Sequence, residues 1–310
     1  MRLRLFAALV IVAGSLFAAD SSLINLVMPD AQFIAGGNVE QVMRSPFGQF
    51  LLSNSPMHSD PVLQKLAETT GFEFDRDLHQ ILVAGRPGTD TWLMLARGTF
   101  DVARIVEAAV ADGAAAGTYA GSQILDWSGS RHPSVAFTND GVAVIGKPDS
   151  VRAALDHGSA PTAINSSLAA EVNSLSADQD AWFVSITPPA AFEGKAAGPL
   201  ALLNSVVSAS GGMRFGPELL VSLKAVCRTA ADAGTLAEGL KSIGMLAGSQ
   251  GAPPGFAGVL RSLQASVAGE TVMVSVSIPE EQLEQMVKSG PSGTVGYDIH
   301  MDRRKAPSSR

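Results

Sequence analysis

The chain has 310 residues, of which 46% are hydrophobic, 16% charged and 6% aromatic, with a formal net charge of -7. That hydrophobic share is enough to fill a core built mainly from small aliphatic side chains, and it excludes a disordered chain. The acidic balance, with no basic patch in the part expected to fold, argues against nucleic-acid binding, which depends on clustered Lys and Arg at phosphates.

At the N-terminus Met1-Arg-Leu-Arg4 sets two positive charges ahead of an apolar run from Leu5 to Ala19, broken only by Gly14 and Ser15. Asp20, Ser21 and Ser22 end it. A charged start, an apolar stretch and a small-residue exit make a secretory signal. The run is shorter than the roughly 20 residues of a bilayer span. A cut after Ala18 or Ala19 leaves Leu16 or Phe17 three residues upstream, neither of them small. Two outcomes therefore stay open for residues 1–19: cleavage, or retention as an anchor. The sequence predicts a periplasmic or extracellular protein, with an outward-facing inner-membrane tether as the alternative and the only membrane contact. A buried N-terminal core helix leaves both the basic start and the polar stop unexplained. No cysteine follows the apolar run, which rules out a lipoprotein anchor.

The next stretches read as alternating strands and helices. Asp30-Ala-Gln-Phe-Ile-Ala35 is strand-like, and a helix opened by Asp60 and Pro61 carries Leu63, Leu66 and Ala67 up to Gly71. Strands are expected at 81–85 and 91–96. Arg97-Gly-Thr-Phe-Asp101 then leads into a helix with Val102, Ile105, Val106, Ala109 and Val110 on one face. Strands 134–138 and 142–146 flank Asn139-Asp-Gly141, a hairpin signal. Pro148 starts a short helix with Val151, Ala154 and Leu155 inward, and Gly158 stops it.

A second run of the same signals follows. Asp180-Ala-Trp-Phe-Val-Ser185 resembles the opening at Asp30. Arg228-Thr-Ala-Ala-Asp232 precedes a helix with Leu236, Leu240 and Ile243 on one face and Thr235 and Glu238 at capping-box spacing. Strands 263–268 and 271–278 flank Gly269-Glu270, and Pro279 starts a helix with Leu283, Met286 and Val287 inward and Gly290 past its end. Two matched hairpin-then-proline-helix endings predict an α+β fold in two tandem copies of one antiparallel-sheet-plus-helices unit, residues 20–158 and 180–290. Helices are expected on one face of the sheets. Residues 159–179, rich in Ser, Ala and Asn, read as the connection, 249–258 as a Gly/Pro loop and 291–310 as a flexible tail.

Chemical motifs are few. The histidines His58, His79, His132, His157 and His300 show no metal-ligand spacing, and no P-loop, GxGxxG or GxSxG pattern is present. Asp75 and Asp77 alternate with Arg76 ahead of His79, which suits an acid/base or cation site. A capped turn explains the same residues, because aspartate accepts backbone N–H bonds there. Trp127, Arg131 and His132 pair an aromatic anchor with a guanidinium in a Gly/Ser loop that could grip a partner, the alternative being a solvated loop beside a sheet edge. Cys227, the only cysteine, lies in the apolar run from Leu219 and reads as a buried, inert thiol.

Met28-Pro-Asp-Ala-Gln-Phe33, Arg44-Ser-Pro-Phe-Gly-Gln-Phe-Leu51 and Thr70-Gly-Phe-Glu-Phe-Asp-Arg-Asp-Leu78, with Leu95-Ala-Arg-Gly-Thr-Phe-Asp101 and Gln179-Asp-Ala-Trp-Phe-Val184, resemble a group of exported proteins of acidobacterial type. The chain is more loosely similar to secreted bacterial proteins with repeated α+β units. The resemblance implies export and duplication, and it brings no activity, cofactor or catalytic residue. The sequence thus predicts a non-enzymatic envelope module that binds another envelope protein or serves as a scaffold, with no cofactor, metal or nucleic acid. The alternatives are a hydrolase with a site assembled from scattered Asp, His and Ser residues, and a carrier of small apolar ligands.

Overall fold

The computed structural model describes residues 21–53, 61–128, 133–160, 163–189, 198–249, 259, 262–279 and 281–283. The signal segment, Arg131, His132, Met286, Val287 and the tail lie outside the described residues, as do the side chains of Leu63, Leu66 and Ile243. In chain order the first part comprises α1 (Ser21–Ile24), β1 (Phe33–Asn38), α2 (Val39–Met43), α3 (Pro46–Ser53), α4 (Pro61–Thr70), α5 (Phe74–Asp77), β2 (Leu78–Gly85) and β3 (Trp92–Gly98). After these come α6 (Val102–Ala111), β4 (Ala114–Tyr119), β5 (Ser122–Trp127), β6 (Ser134–Phe137), β7 (Val142–Gly146), α7 (Pro148–Ser159) and α8 (Ser166–Asp178). The second part runs β8 (Ala181–Ser185), a 3-10 helix (Gly198–Ser205), β9 (Val206–Arg214), β10 (Glu218–Cys227), α9 (Ala230–Ser249), β11 (Gln264–Ala268) and β12 (Thr271–Pro279).

The fold is α+β, built on one large antiparallel sheet. Among the described residues it has 12 strands in the order β11-β12-β10-β9-β8-β1-β2-β3-β7-β6-β5-β4. The two halves of the sheet, β1–β7 and β8–β12, meet where β1 pairs with β8 in antiparallel register, Phe33 opposite Ser185, Ile34 opposite Val184 and Gly36 opposite Trp182. Asn38 N–H donates to Asp180 O at 2.8 Å and Ile186 N–H to Gln32 O at 2.9 Å, extending the ladder past both ends.

Alternation along the strands assigns side chains to two faces. The front carries Ile34, Leu82, Leu93, Leu95, Val144 and Trp182, buried under α1, α7 and α8. The back of the first half carries Ala96, Leu125, Phe137 and Ala143 under α2 and α6, with Phe100 packed between Phe72 and Phe137 at ring-centroid distances of 5.7 and 5.5 Å. On the back of the second half α9 sends Ala233, Leu236 and Ala237 against Val206, Cys227 and Val272. Phe47 of α3 packs with Leu219, Ile278 and Leu283 on the same face.

Two expectations are revised here. Helices were expected on one face of the sheet, but the first half is covered on both, because β3 and β7 carry aliphatic side chains at consecutive positions: Leu93 to Ala96 and Val142 to Ile145. Residues 159–179 are more than a connection. Asn165 Oδ1 accepts from the N–H groups of Ser167 and Leu168 at 3.0 and 3.2 Å and starts α8, which buries Leu168 and Val172 over the β1–β8 junction.

At that junction the Trp182 indole lies across Gly36 of the neighbouring strand. A Cβ on Gly36 would stand 2.5 Å from the ring. Gly36→Ala is expected to cost about 1–3 kcal/mol through overpacking. It should lower the urea midpoint with an unchanged slope, and a variant as stable as the parent chain would show that the ring does not fix this contact.

Candidate functional site

On the front of the second half, α8 stands beside β9, β10, β12 and β11 and leaves a groove of about 490 Å³. The strand sequences dictate its polarity. In β10, Leu219, Val221, Leu223 and Ala225 turn to the back, while Ser222 and Lys224 turn to the front. In β12, Val272, Val274, Val276 and Ile278 turn to the back, and Met273, Ser275 and Ser277 to the front. Such alternation leaves one face of an antiparallel sheet packed and the other wet. Ser210, Ser222, Ser266, Ser275 and Lys224 therefore line the groove, with Met273 half exposed among them.

Glu171 of α8 closes one side. Its Oε1 accepts from Ser210 Oγ at 2.7 Å and Lys224 Nζ at 3.2 Å, and its Oε2 accepts from Nζ at 3.0 Å. Burial pushes the Glu171 carboxyl up, but the hydrogen bonds from Ser210 and Lys224 and the ammonium charge outweigh it, so its pKa falls below the ordinary 4.5. The groove thus presents an internally neutralised ion pair and several hydroxyls, beside the apolar side chains of Leu175 and Met273. Such a surface exchanges hydrogen bonds with a polar or main-chain ligand. Among the described residues no group of three metal-ligating side chains converges.

A second constellation lies at the start of β2. His79 Nδ1 stands 2.6 Å from Glu40 Oε1, and His79 Nε2 stands 3.2 Å from Thr99 Oγ1. A carboxylate, an imidazole and a hydroxyl in line are the parts of a general-base relay. Glu40 keeps half of its side chain exposed and His79 a third, so water reaches this relay freely.

The residues singled out in the sequence are not drawn together. Asp77 is buried, and its Oδ2 accepts from Glu73 N–H at 2.8 Å and Arg76 Nη2 at 2.6 Å, with Oδ1 accepting from Arg76 Nε at 2.7 Å. The Arg76 hydrogen bonds hold its carboxyl below the usual range. It thus fastens the turn that feeds β2. Asp75 lies half-buried in the same turn. Trp127 packs half-buried against the back core at the end of β5. Its neighbour Asp126 accepts from Arg152 Nη2 of α7 at 2.5 Å and from Ser134 Oγ. Sequence reading missed Glu171 and Lys224, which stand 53 residues apart. The available signal was Lys224 itself, a charge at a front position within the mostly apolar run Leu219–Cys227.

Cys227 is buried, with its Sγ 4.0 Å from Ser205 Oγ. Burial raises its pKa, the Ser205 contact lowers it and the charge on Asp232 raises it, for a net rise. The thiolate is disfavoured, and with it nucleophilic chemistry.

No protein-family model matches the chain, and no curated protein matches it. Solved structures do. Crystal forms I, III and IV of TP0453 are similar to it with TM-scores of 0.51, 0.52 and 0.51 and identities of 12%, 14% and 12% for forms I, IV and III respectively. Each comparison covers 86% of this chain and 96–97% of the other. At such identity the likeness shows a shared α+β fold.

Two measurements probe these sites. Because the pKa of Glu171 is lower in the folded protein, its charged form stabilises the fold above about pH 4.5, and that contribution is lost as pH falls through the folded value. Glu171→Gln should therefore be less stable than the parent chain at pH 7, by about 0.5–1 kcal/mol for this partly exposed pair. The gap should narrow below pH 4, and a pH-independent gap in urea unfolding would contradict this assignment. Cys227 should react with a thiol reagent only after denaturation, and rapid stoichiometric labelling of the native protein would disprove its burial.

Proposed function

We propose that the chain is an exported, non-enzymatic interaction module of the cell envelope, made of a duplicated α+β unit whose second copy offers its open front to another envelope protein. One observation carries this reading. The front of the first half lies under α1 and α7, whereas among the described residues α8 reaches no further across the second half than Lys224 of β10, and β12 and β11 carry no helix on that face.

The order of strands supports the duplication. In each half three strands precede a helix, and the last strand then pairs with the third: β7 with β3, β12 with β10. Each last strand carries its hairpin partner on the outside, β6 and β11. The aspartate that opens each half also ties to the next hairpin. Asp30 accepts from Arg86 at 2.5 Å, and Asp180 accepts from Phe215 N–H at 2.7 Å. With Asp30 equivalent to Asp180, Ile34 is equivalent to Val184, and these two residues face each other across the junction. A two-fold axis between the copies would pass between them. On this reading residues 20–158 and 180–290 are the copies, 159–179 join them, and residues 1–19 direct export.

A hydrolase is the second reading, and the Glu40–His79–Thr99 line is the observation that favours it. The carrier reading asks for an apolar cleft between the halves, where β1 and β8 instead form a continuous pair under α8.

A photo-reactive residue at Met273, compared with one at the equally exposed Val110 of α6, tests the interaction module in envelopes of the producing cell. The expected outcome is one recurrent envelope-protein adduct from Met273 and none from Val110. Identical adduct patterns would sink the proposal. Hydrolysis of an activated ester that His79→Ala and Thr99→Ala both abolish would favour the enzyme instead.

A further inference from the structure

We infer that the outer edge of β11 accepts an extended strand from the partner, in antiparallel pairing. The inference rests on the interaction-module reading and its duplicated architecture. In the first half, β6 is paired on its outer edge by β5, Ile124 opposite Ala136 and Leu125 opposite Val135. In the second half β11 holds the place of β6, and it ends the sheet among the described residues. Among the described residues no strand fills the seat beside β11 that β5 fills beside β6.

The chemistry of the seat specifies the occupant. The two-residue turn Gly269-Glu270 makes Ala268 and Thr271 the hydrogen-bonded pair closing the hairpin, so the N–H and C=O of Val267 and Ala265 point away from β12. Another backbone in extended form pairs with such a row of alternating donors and acceptors in register. The strand carries neither proline nor charge, the usual devices that blunt an edge. Side chains fix the pattern of the guest. Ala265 and Val267 lie on the back, where Ala265 packs with the α9 core and Val267 is 44% exposed. Gln264 and Ser266 lie on the front beside the hydroxyl-lined groove. A partner strand therefore alternates apolar residues, which extend the back layer beside Val267, with polar residues that meet Gln264 and Ser266. The β5 sequence has this form on its back side, with Leu125 and Trp127 packed in the core.

The probe is a synthetic peptide with the sequence of residues 121–128, added to the full chain and read by hydrogen exchange. Binding at the edge should slow exchange of the Ala265 and Val267 amides by at least about tenfold, the protection that a ladder bond gives an open amide. Ala265→Pro removes an outward N–H without breaking the pairing to β12 and should abolish the protection, with circular dichroism unchanged. Val267→Lys is the second variant, should the proline prevent folding. Absence of protection in the parent chain overturns the inference, as does protection that persists in a folded variant. Sedimentation of the parent chain as a dimer that Ala265→Pro dissociates would assign the edge to a second copy and overturn it too. An edge blind to the peptide, together with a specific adduct at Met273, would sink the strand inference and leave the interaction reading standing.

Discussion

Antiparallel pairing of β1 with β8 joins the two halves of the chain into one sheet, and everything else hangs on that ladder. Both strands are interior, β1 between β2 and β8 and β8 between β1 and β9, so separating them would bare two edges at once. Ile34 and Val184, opposite each other, are almost wholly buried. Burying an aliphatic side chain of this size contributes about 1.5–3 kcal/mol each. Above them sit Leu168 and Val172 of α8, the helix that also supplies Glu171 to the groove. The junction and the candidate site therefore share one element. A shift of α8 on its seat would pull Glu171 from Ser210 and Lys224.

Local signals made much of the fold legible in the sequence. The β6–β7 hairpin was marked by Asn139-Asp-Gly141, with Gly141 at positive φ, and α7 by Pro148 at its first position. The strands at Phe33 and Ala181 were marked by the matched strand-like runs Asp30–Ala35 and Asp180–Ser185. Elements that depend on distant partners were illegible. β9 contains Gly211 and Gly212 and looks like a loop, yet a Cβ at Gly212 would stand 2.4 Å from Gln179 at the end of α8. A close approach, invisible in sequence, puts glycine in that strand. β4 reads Ala-Ala-Ala-Gly-Thr-Tyr and has little strand character of its own; it is extended because β5 pairs with it residue for residue. α8 looked like a polar connection because its fully buried positions are Leu168, Val172 and Ser176, spaced by four, with Ala169 and Leu175 partly buried beside them.

The candidate site was illegible for the same reason. Asp75, Arg76 and Asp77 drew notice because they are adjacent, and adjacency in sequence mostly makes turns; Asp77 spends its oxygens on Glu73 and Arg76. Groups that converge across a fold come from elements far apart in the chain. Glu171 and Lys224 meet because α8 crosses the front of β9 and reaches β10, and Glu40, His79 and Thr99 because the starts of α2 and β2 meet the end of β3.

The polarity of the open front restricts what can settle there. In the first half, α7 covers Leu93 and Val144 with Val151 and Leu155, an exchange of apolar surface that returns no hydrogen bonds. The same kind of helix on the second half would cover Ser222, Ser275 and Lys224. A buried hydroxyl left without a partner costs about 1–3 kcal/mol, and an ammonium costs more. A few such groups cancel the gain from an apolar stripe. The floor thus selects against a copy of α7 and in favour of a ligand that gives hydrogen bonds back, through polar side chains or main chain. An extended strand at β11 meets that requirement twice: its backbone pairs with the edge, and its front-facing side chains reach Gln264 and Ser266 where the groove begins.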